Sequence, residues 1–168
     1  MSFNLALILS ESARCAPDRP VAIFDGGRLT YRQLDQASDR VAANLATAGI
    51  GPGDRVALQL PNIPQFLISY FGILKAGAVV VPLNVLLRAP EIAYHLEDSG
   101  ALVLITWEGV LAEAVKGAEA AGIGAIFAAH RHRRHRLYLG DHGPAQGGRA
   151  HPHPAVHERR QPGAPVRR

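Results

Sequence analysis

The stretch Pro61 to Asn84, PNIPQFLISYFGILKAGAVVVPLN, leaves a chain of this kind few ways to fold. Its apolar side chains at Ile63, Phe66, Leu67, Tyr70, Phe71 and Leu74 follow the alternating three- and four-residue spacing of one helix face. Asn62 is placed to cap that helix, and Pro64 falls in its first turn, where a missing N–H costs nothing. Gly77 supplies the residue that tolerates a left-handed C-terminal turn, and Ala78 to Val81 read as a short β-branched strand closed by Pro82. Upstream, Arg55 to Leu60 (RVALQL) reads as a strand after the turn Gly51 to Asp54. Strand, helix and strand make a βαβ unit, and its two strands must run parallel. A parallel sheet is covered on both faces, so the expectation is a three-layer α/β domain.

The rest of the body extends this alternation. Leu5, Ile8, Leu9, Ser12 and Ala13 keep one helical face until Pro17. Val21 to Phe24 and Arg28 to Thr30 flank the turn Asp25, Gly26, Gly27 as a small hairpin. Thr30 and Gln33 have capping-box spacing, and Leu34, Ala37, Val41, Leu45 and Ala48 mark the buried stripe of a helix that Gly49 stops. Pro90 opens a helix with Ile92 and Leu96 inward, Gly100 ends it, and Ala101 to Thr106 is an apolar strand. Glu108 to Ala121 is a further helix, with Val110, Leu111, Ala114, Val115 and Ala118 facing in, and Ile123 to Phe127 begins one more strand. From about Ala128 all periodicity is lost. The Arg/His/Pro-rich residues 129–168 carry no Lys, Ile or Phe, cannot bury enough apolar surface to offset the entropy of ordering, and are expected to be disordered. Residues 1–128 are then one subdomain and 129–168 a tail.

Charge follows the same division. Residues 1–129 carry nine Lys and Arg against twelve Asp and Glu, and residues 130–168 carry nine Arg against two acids, so the overall +4 is a body of −3 and a tail of +7. Cys15 is the only thiol and has no internal disulfide partner, which suits a reducing compartment and points to the cytoplasm. The opening MSFNLALIL has no basic residue before its apolar run and is too short for a membrane span, so it reads as the first helix.

Candidate chemistry is sparse. Gly49, Gly51 and Gly53 lie between a helix and a strand, whereas a dinucleotide loop needs its glycines after a strand and at a helix start. His95 sits beside Glu97 and Asp98 with no partner at ligand spacing and receives no role. The tail histidines His130, His132, His135, His142, His151, His153 and His157 have no folded second shell, so no metal site is assigned to them. The tail arginines could contact phosphates in a salt-sensitive way, but with Tyr138 as the one tail aromatic, stacking on bases is disfavoured and nucleic acid is not the expected partner.

Three stretches together resemble a known family: LTYRQLDQASDRVAANLATAGIGPGDRVALQLPN, then FLISYFGILKAGAVVVPLN, then EIAYHLEDSGALVLIT from Glu91 to Thr106. In order and spacing they are similar to the AMP-forming acyl-CoA synthetases and ligases of the adenylate-forming superfamily, over Ser2 to about Phe127. The resemblance implies an incomplete N-terminal subdomain of a much longer ligase. Such an enzyme activates a carboxylic acid, most often a fatty acid, with ATP and Mg²⁺ and passes the acyl group to coenzyme A. It also implies that the chemistry lies downstream, in a Ser/Thr/Gly-rich phosphate loop ending Pro-Lys-Gly, an acidic ribose-binding residue and a mobile domain with a lysine. None of these occurs here, and the two lysines, Lys75 and Lys116, lie within expected helices. No catalytic, cofactor-binding or metal residue is therefore assigned, no cofactor is expected for this chain alone, and fatty, aryl and amino acids stay open as substrates. An inert portion of an acyl-activating enzyme stands against a small binding protein with a basic, polyanion-binding tail.

The resemblance also gives the tail a specific reading. If the first base of the His130 codon is dropped and third positions are left free, Leu137 to Gly147 (LYLGDHGPAQG) permits Y-T-S-G-T-T-G, then Arg or Pro, then P-K-G. The preceding HRHRRHR permits T-D-T-A-V-I-V, an apolar strand entering that loop. The expectation is a phosphate loop translated in the wrong reading frame.

Overall fold

The computed structural model describes residues 4–130 and the backbone of 137–139. The elements run α1 (Ala6–Cys15), β1 (Pro20–Phe24), β2 (Gly27–Thr30), α2 (Tyr31–Thr47), β3 (Arg55–Gln59), α3 (Pro64–Lys75), β4 (Val79–Pro82), α4 (Ala89–Ser99), β5 (Val103–Trp107), a 3-10 turn (Glu108–Val110), α5 (Leu111–Ala120), β6 (Ala125–Ala129) and β7 (Leu137–Leu139).

The βαβ unit forms as its sequence requires. β3 pairs in parallel with β4 on one side, Val56 opposite Val80, and with β5 on the other, Val56 opposite Val103. β5 pairs in parallel with β6, so the five-stranded sheet has the order β4-β3-β5-β6-β7. Side chains alternate across it. Val56, Leu58, Val103, Ile105 and Phe127 enter a core with Leu9 of α1, Leu34, Val41 and Leu45 of α2 and Ile68 and Ile73 of α3. Ala57, Leu104 and Ile126 enter a second core with Ile92 and Leu96 of α4 and Ala114 and Ala118 of α5. That is the three-layer α/β arrangement, with β1 and β2 as a separate antiparallel hairpin.

Local signals set several element ends. Thr30 Oγ1 accepts from the Gln33 N–H at 3.3 Å while Gln33 Oε1 accepts from the Thr30 N–H at 3.0 Å, a complete capping box for α2. Gly100 closes α4 at φ 63° in the left-handed region, where a side chain would be strained.

Several expectations need correction. The buried stripe of α3 is Gln65, Ile68, Ser69, Gly72 and Ile73; Phe66, Leu67, Tyr70, Phe71 and Leu74 are only half-buried. The reason is close packing, because a Cβ on Gly72 would lie 2.5 Å from Val41 Cβ and Cγ1, so α2 approaches where α3 is smallest. The N-cap of α3 is Ile63 without a side-chain cap bond, and Asn62 is exposed. In α1 the buried residues are Ala6 and Leu9, while Leu5 and Ile8 are exposed, and Ala48 of the expected α2 stripe is exposed as well. α5 begins at Leu111 after the 3-10 turn; Leu111 and Val115 are half-buried against the core as expected, and Gly117 joins Ala114 and Ala118 in the fully buried face. Gly117 plays the part of Gly72 on this side of the sheet, for a Cβ there would lie 2.7 Å from Ile92 Cβ. β6 extends to Ala129, and Leu137–Leu139 pairs with it antiparallel, Phe127 opposite Leu139, so these three tail residues form a strand against the expectation of disorder. The rest of that expectation lies outside the described residues.

Candidate functional site

In a sheet wound in two directions, ligands settle beyond the carboxyl ends of the strands, where the strand order reverses. Here the chain leaves β3 for β4 through α3 on one face and returns to β5, on the other side of β3, through α4 on the opposite face. The reversal lies between β3 and β5, and its carboxyl edge is formed by Gln59, Thr106, Trp107 and the segment after β4.

Polar residues interrupt the apolar strands at this edge. On the α4/α5 side, Thr106 Oγ1 donates to Gln59 Oε1 at 3.0 Å and Gln59 Nε2 donates to the Asn84 carbonyl at 3.2 Å, while Asn84 Oδ1 accepts from the Leu86 N–H at 2.9 Å. Gln59 and Thr106 are fully buried, so this chain of bonds ties the ends of β3 and β5 to the loop after β4 without leaving the Gln59 carboxamide unsatisfied. On the α2/α3 side, Gln65 Nε2 donates to the His130 carbonyl at 3.0 Å, and His130 Nδ1 touches the Glu108 carboxylate. Gln65 Oε1, Ser69 Oγ and Trp107 Nε1 are buried and have no hydrogen-bond partner among the described residues.

Two hollows border α3, one near its start and one at its far end. One, of about 330 Å³, is apolar and lies between the hairpin residues Ile23 and Phe24 and the α3 residues Phe66 and Leu67. The other, of about 480 Å³, borders Asn4, Ser10, Asp39 and Lys75. Lys75 Nζ donates to the Asp35 carbonyl at 2.9 Å, to Asp35 Oδ1 at 2.7 Å and to Asp39 Oδ1 at 2.6 Å, with its side chain 12% exposed. All three ammonium donors are thereby used in joining α3 to α2.

The residues weighed in the sequence fall as follows. The glycine cluster is a turn, with the Gly51 N–H donating to Asp54 Oδ2 at 2.8 Å and Gly53 at φ 86°. His95 is exposed and meets only the edge of Tyr94, Cys15 is exposed, and Lys116 lies 3.9 Å from Glu113 on the surface of α5. Among the described residues there is no cluster of three or more His, Cys, Asp or Glu side chains able to hold a metal, and no helix is long and apolar enough to cross a membrane. Arg14 is raised above its ordinary pKa by its hydrogen bond to Glu11, on the open surface of α1. The edge residues Gln59, Gln65, Ser69, Thr106 and Trp107 were not singled out by sequence reasoning. Their signal was a polar residue near the end of the apolar strands β3 and β5 and a polar pair four residues apart on α3.

Comparison with known proteins agrees with this architecture. The sequence profile of the family described as AMP-binding enzyme matches residues 9–165. A long-chain-fatty-acid–CoA ligase of Bacillus subtilis (strain 168) is 40% identical over 113 residues, covering 67% of this chain and 20% of that protein. A salicyl-AMP ligase/salicyl-S-ArCP synthetase of Mycobacterium tuberculosis (strain ATCC 25618 / H37Rv) is 38% identical over 178 aligned residues, covering 97% of this chain and 30% of that protein. The crystal structure of the anthranilate CoA ligase AuaEII in complex with anthranoyl-AMP shares the fold with a TM-score of 0.72 at 26% identity, over 76% of this chain and 25% of that one. The chain thus spans between 20% and 30% of the length of these relatives. With the profile running along nearly all of it and the described fold shared with a ligase, the chain belongs to the AMP-binding enzyme family of AMP-forming, adenylate-forming ligases and corresponds to their N-terminal part.

Proposed function

We propose that this chain is the structural N-terminal portion of an acyl-activating ligase and performs no chemistry by itself. The whole enzyme would join a carboxylic acid to AMP at the expense of ATP with Mg²⁺ and then transfer the acyl group to coenzyme A. The observation that carries this reading is the match of the described fold to a quarter of a CoA ligase, the part holding the parallel sheet and both helix layers. The contribution of the present residues is a rigid sheet whose carboxyl edge, tied by Gln59 and Thr106, fixes where the following chain emerges. The largely buried ammonium of Lys75 is held by Asp35 and Asp39 and joins α3 to α2, which gives it a structural part in this portion. Fatty acid is the substrate class we favour, with aryl acids next, because relatives of both kinds match. We place the protein in the cytoplasm on its single, unpaired Cys15.

Carboxylate-dependent exchange of labelled pyrophosphate into ATP tests the reading. The purified chain is expected to show none, and exchange above a buffer control would overturn it. Fusing residues 1–130 to the remainder of the Bacillus subtilis ligase at the matching position is expected to restore it.

For the tail, we propose that residues 130–147 encode the phosphate loop out of frame. The composition of the tail and the ordered appearance of Y-T-S-G-T-T-G and P-K-G in the shifted frame support this. The family profile, which runs to residue 165 in the frame as translated, weighs the other way. Nucleotide sequencing decides between them. A Gln146 codon of CAG, or third bases at Leu139 and Gly140 that give no serine and glycine, would remove the frameshift.

A further inference from the structure

The edge of a sheet presents a row of unspent N–H and C=O groups, and the two sides of this sheet are guarded unequally. On the β4 side, the Val79 N–H donates to the Asp54 carbonyl at 2.7 Å and the Leu83 N–H to the Leu58 carbonyl at 2.9 Å. Backbone groups alternate along a strand, so Val79, Val81 and Leu83 turn theirs toward β3, while Val80 and Pro82 turn theirs outward. Proline has no N–H, which leaves Val80 as the single outward donor of β4. That edge offers a further strand too little to hold.

The β6 side has no such guard of its own. Residues 122–129, GIGAIFAA, contain neither a charge nor a proline, and Ile126, Phe127, Ala128 and Ala129 are buried. Among the described residues, the outer edge of β6 is covered by β7 through three antiparallel pairs, Phe127 with Leu139, Ala128 with Tyr138 and Ala129 with Leu137. The short connection 130–136 ties β7 to β6, and a tether of that length gives an effective concentration on the order of millimolar. It also carries Arg131, Arg133, Arg134 and Arg136, charges that a second copy would have to meet with its own four. The cap is small, because β6 has five residues and β7 has three. The edge accepts an antiparallel strand, and β6 of a second copy meets that requirement. A strand paired antiparallel with its own copy is related to it by a two-fold axis, so such a contact is self-complementary and closed.

We propose that β7 is a tethered cap on a self-pairing edge, and that the partner taken by the uncapped edge is a second copy of this chain, β6 against β6. The tether favours β7 at ordinary protein concentrations, so the intact chain stays single. Without β7, five residues of one copy face five of the other, and the chain dimerises. The assembly stops at two, because the edges left over are the two β4 strands with their outward Pro82. The inference goes beyond the ligase reading and does not depend on it.

The test is sedimentation of the full chain over a range of concentrations, with amide hydrogen exchange on the same samples and circular dichroism to confirm the fold. The unsubstituted chain is expected to sediment as one copy. Leu137→Pro with Tyr138→Pro removes the N–H that faces β6, whichever of the two residues supplies it, and is expected to double the sedimenting mass. Protection of the amides of Ala125–Ala129 should then rise with protein concentration, while that of the β4 amides stays constant. Adding Ala125→Lys, at a half-buried position, puts a charge on the edge and is expected to return the mass to one copy. Leu137→Gly with Tyr138→Gly weakens β7 while keeping every N–H, and should give the same behaviour with a smaller dimer fraction, which decides the matter if the prolines unfold the chain. Folded variants that stay single at every concentration would overturn the proposal. So would a dimer whose concentration-dependent protection lies outside β6 or that ignores Ala125→Lys, and so would an unsubstituted chain already paired through β6.

Discussion

The two faces of the sheet solve the same packing problem with different degrees of closure. On each face a helix pair is brought together at a glycine: Gly72 of α3 against Val41 of α2, and Gly117 of α5 against Ile92 of α4. The α4/α5 face is complete in itself, with the buried Gln59 carboxamide and Thr106 hydroxyl bonded to each other and to Asn84. The α2/α3 face has the larger core, yet Gln65 Oε1, Ser69 Oγ and Trp107 Nε1 have no partner among the described residues. Apolar packing alone does not say whether a face is finished. Polar accounting does, because burying an unpaired group costs more than an extra methyl contact returns.

The comparison can be broken first at the cores themselves. Leu58→Ala on the α2/α3 side and Leu104→Ala on the α4/α5 side each remove a fully buried side chain and are expected to cost about 2–5 kcal/mol. Both should lower a single cooperative transition, since β3 and β5 are shared by the two faces; a separate early transition in Leu104→Ala, seen by circular dichroism, would show that the faces unfold independently.

The glycine contacts come next. Gly72→Ala and Gly117→Ala should each cost about 1–3 kcal/mol by forcing the helix pairs apart, with Gly72 the worse because its new Cβ would be 2.5 Å from Val41 Cβ against 2.7 Å from Ile92 Cβ. Adding Val41→Ala to Gly72→Ala should recover little, since the Val41 Cβ remains; full recovery in a thermal melt would mean that only Cγ1 was in the way.

Thr106→Val tests the closed face more gently. It keeps shape but leaves Gln59 Oε1 buried without a donor, for an expected loss of about 1–3 kcal/mol, and an unchanged urea midpoint would show that the network is not needed. The smallest effect is Thr30→Ala, which removes one half of the α2 capping box for about 1 kcal/mol and should leave pyrophosphate exchange by the fusion unaltered.

Much of the fold was legible because its signals are local. The Thr30 and Gln33 box, the Pro64 and Pro90 first turns and the glycine that closes α4 each act within one turn of helix, and so can be read from adjacent residues. The buried stripe of α3 was misread because its aromatics dominate the apolar pattern, whereas packing chose the small residues Ser69 and Gly72, which depends on α2 and not on α3 alone. The carboxyl-edge network was not legible for a similar reason. Gln59 and Thr106 are 47 residues apart, and their bond exists only once β3 and β5 are side by side. The strand Leu137–Leu139 escaped notice because the available β6 edge, not its own three residues, determines its pairing.

The most direct measurement of the central claim is carboxylate-dependent pyrophosphate exchange, compared between the purified chain and the fusion of its residues 1–130 to the remainder of the Bacillus subtilis ligase. The prediction is no exchange by the chain and clear exchange by the fusion with at least one fatty or aryl acid. Exchange by the chain alone, or a folded and soluble fusion that activates no carboxylate, would contradict the account.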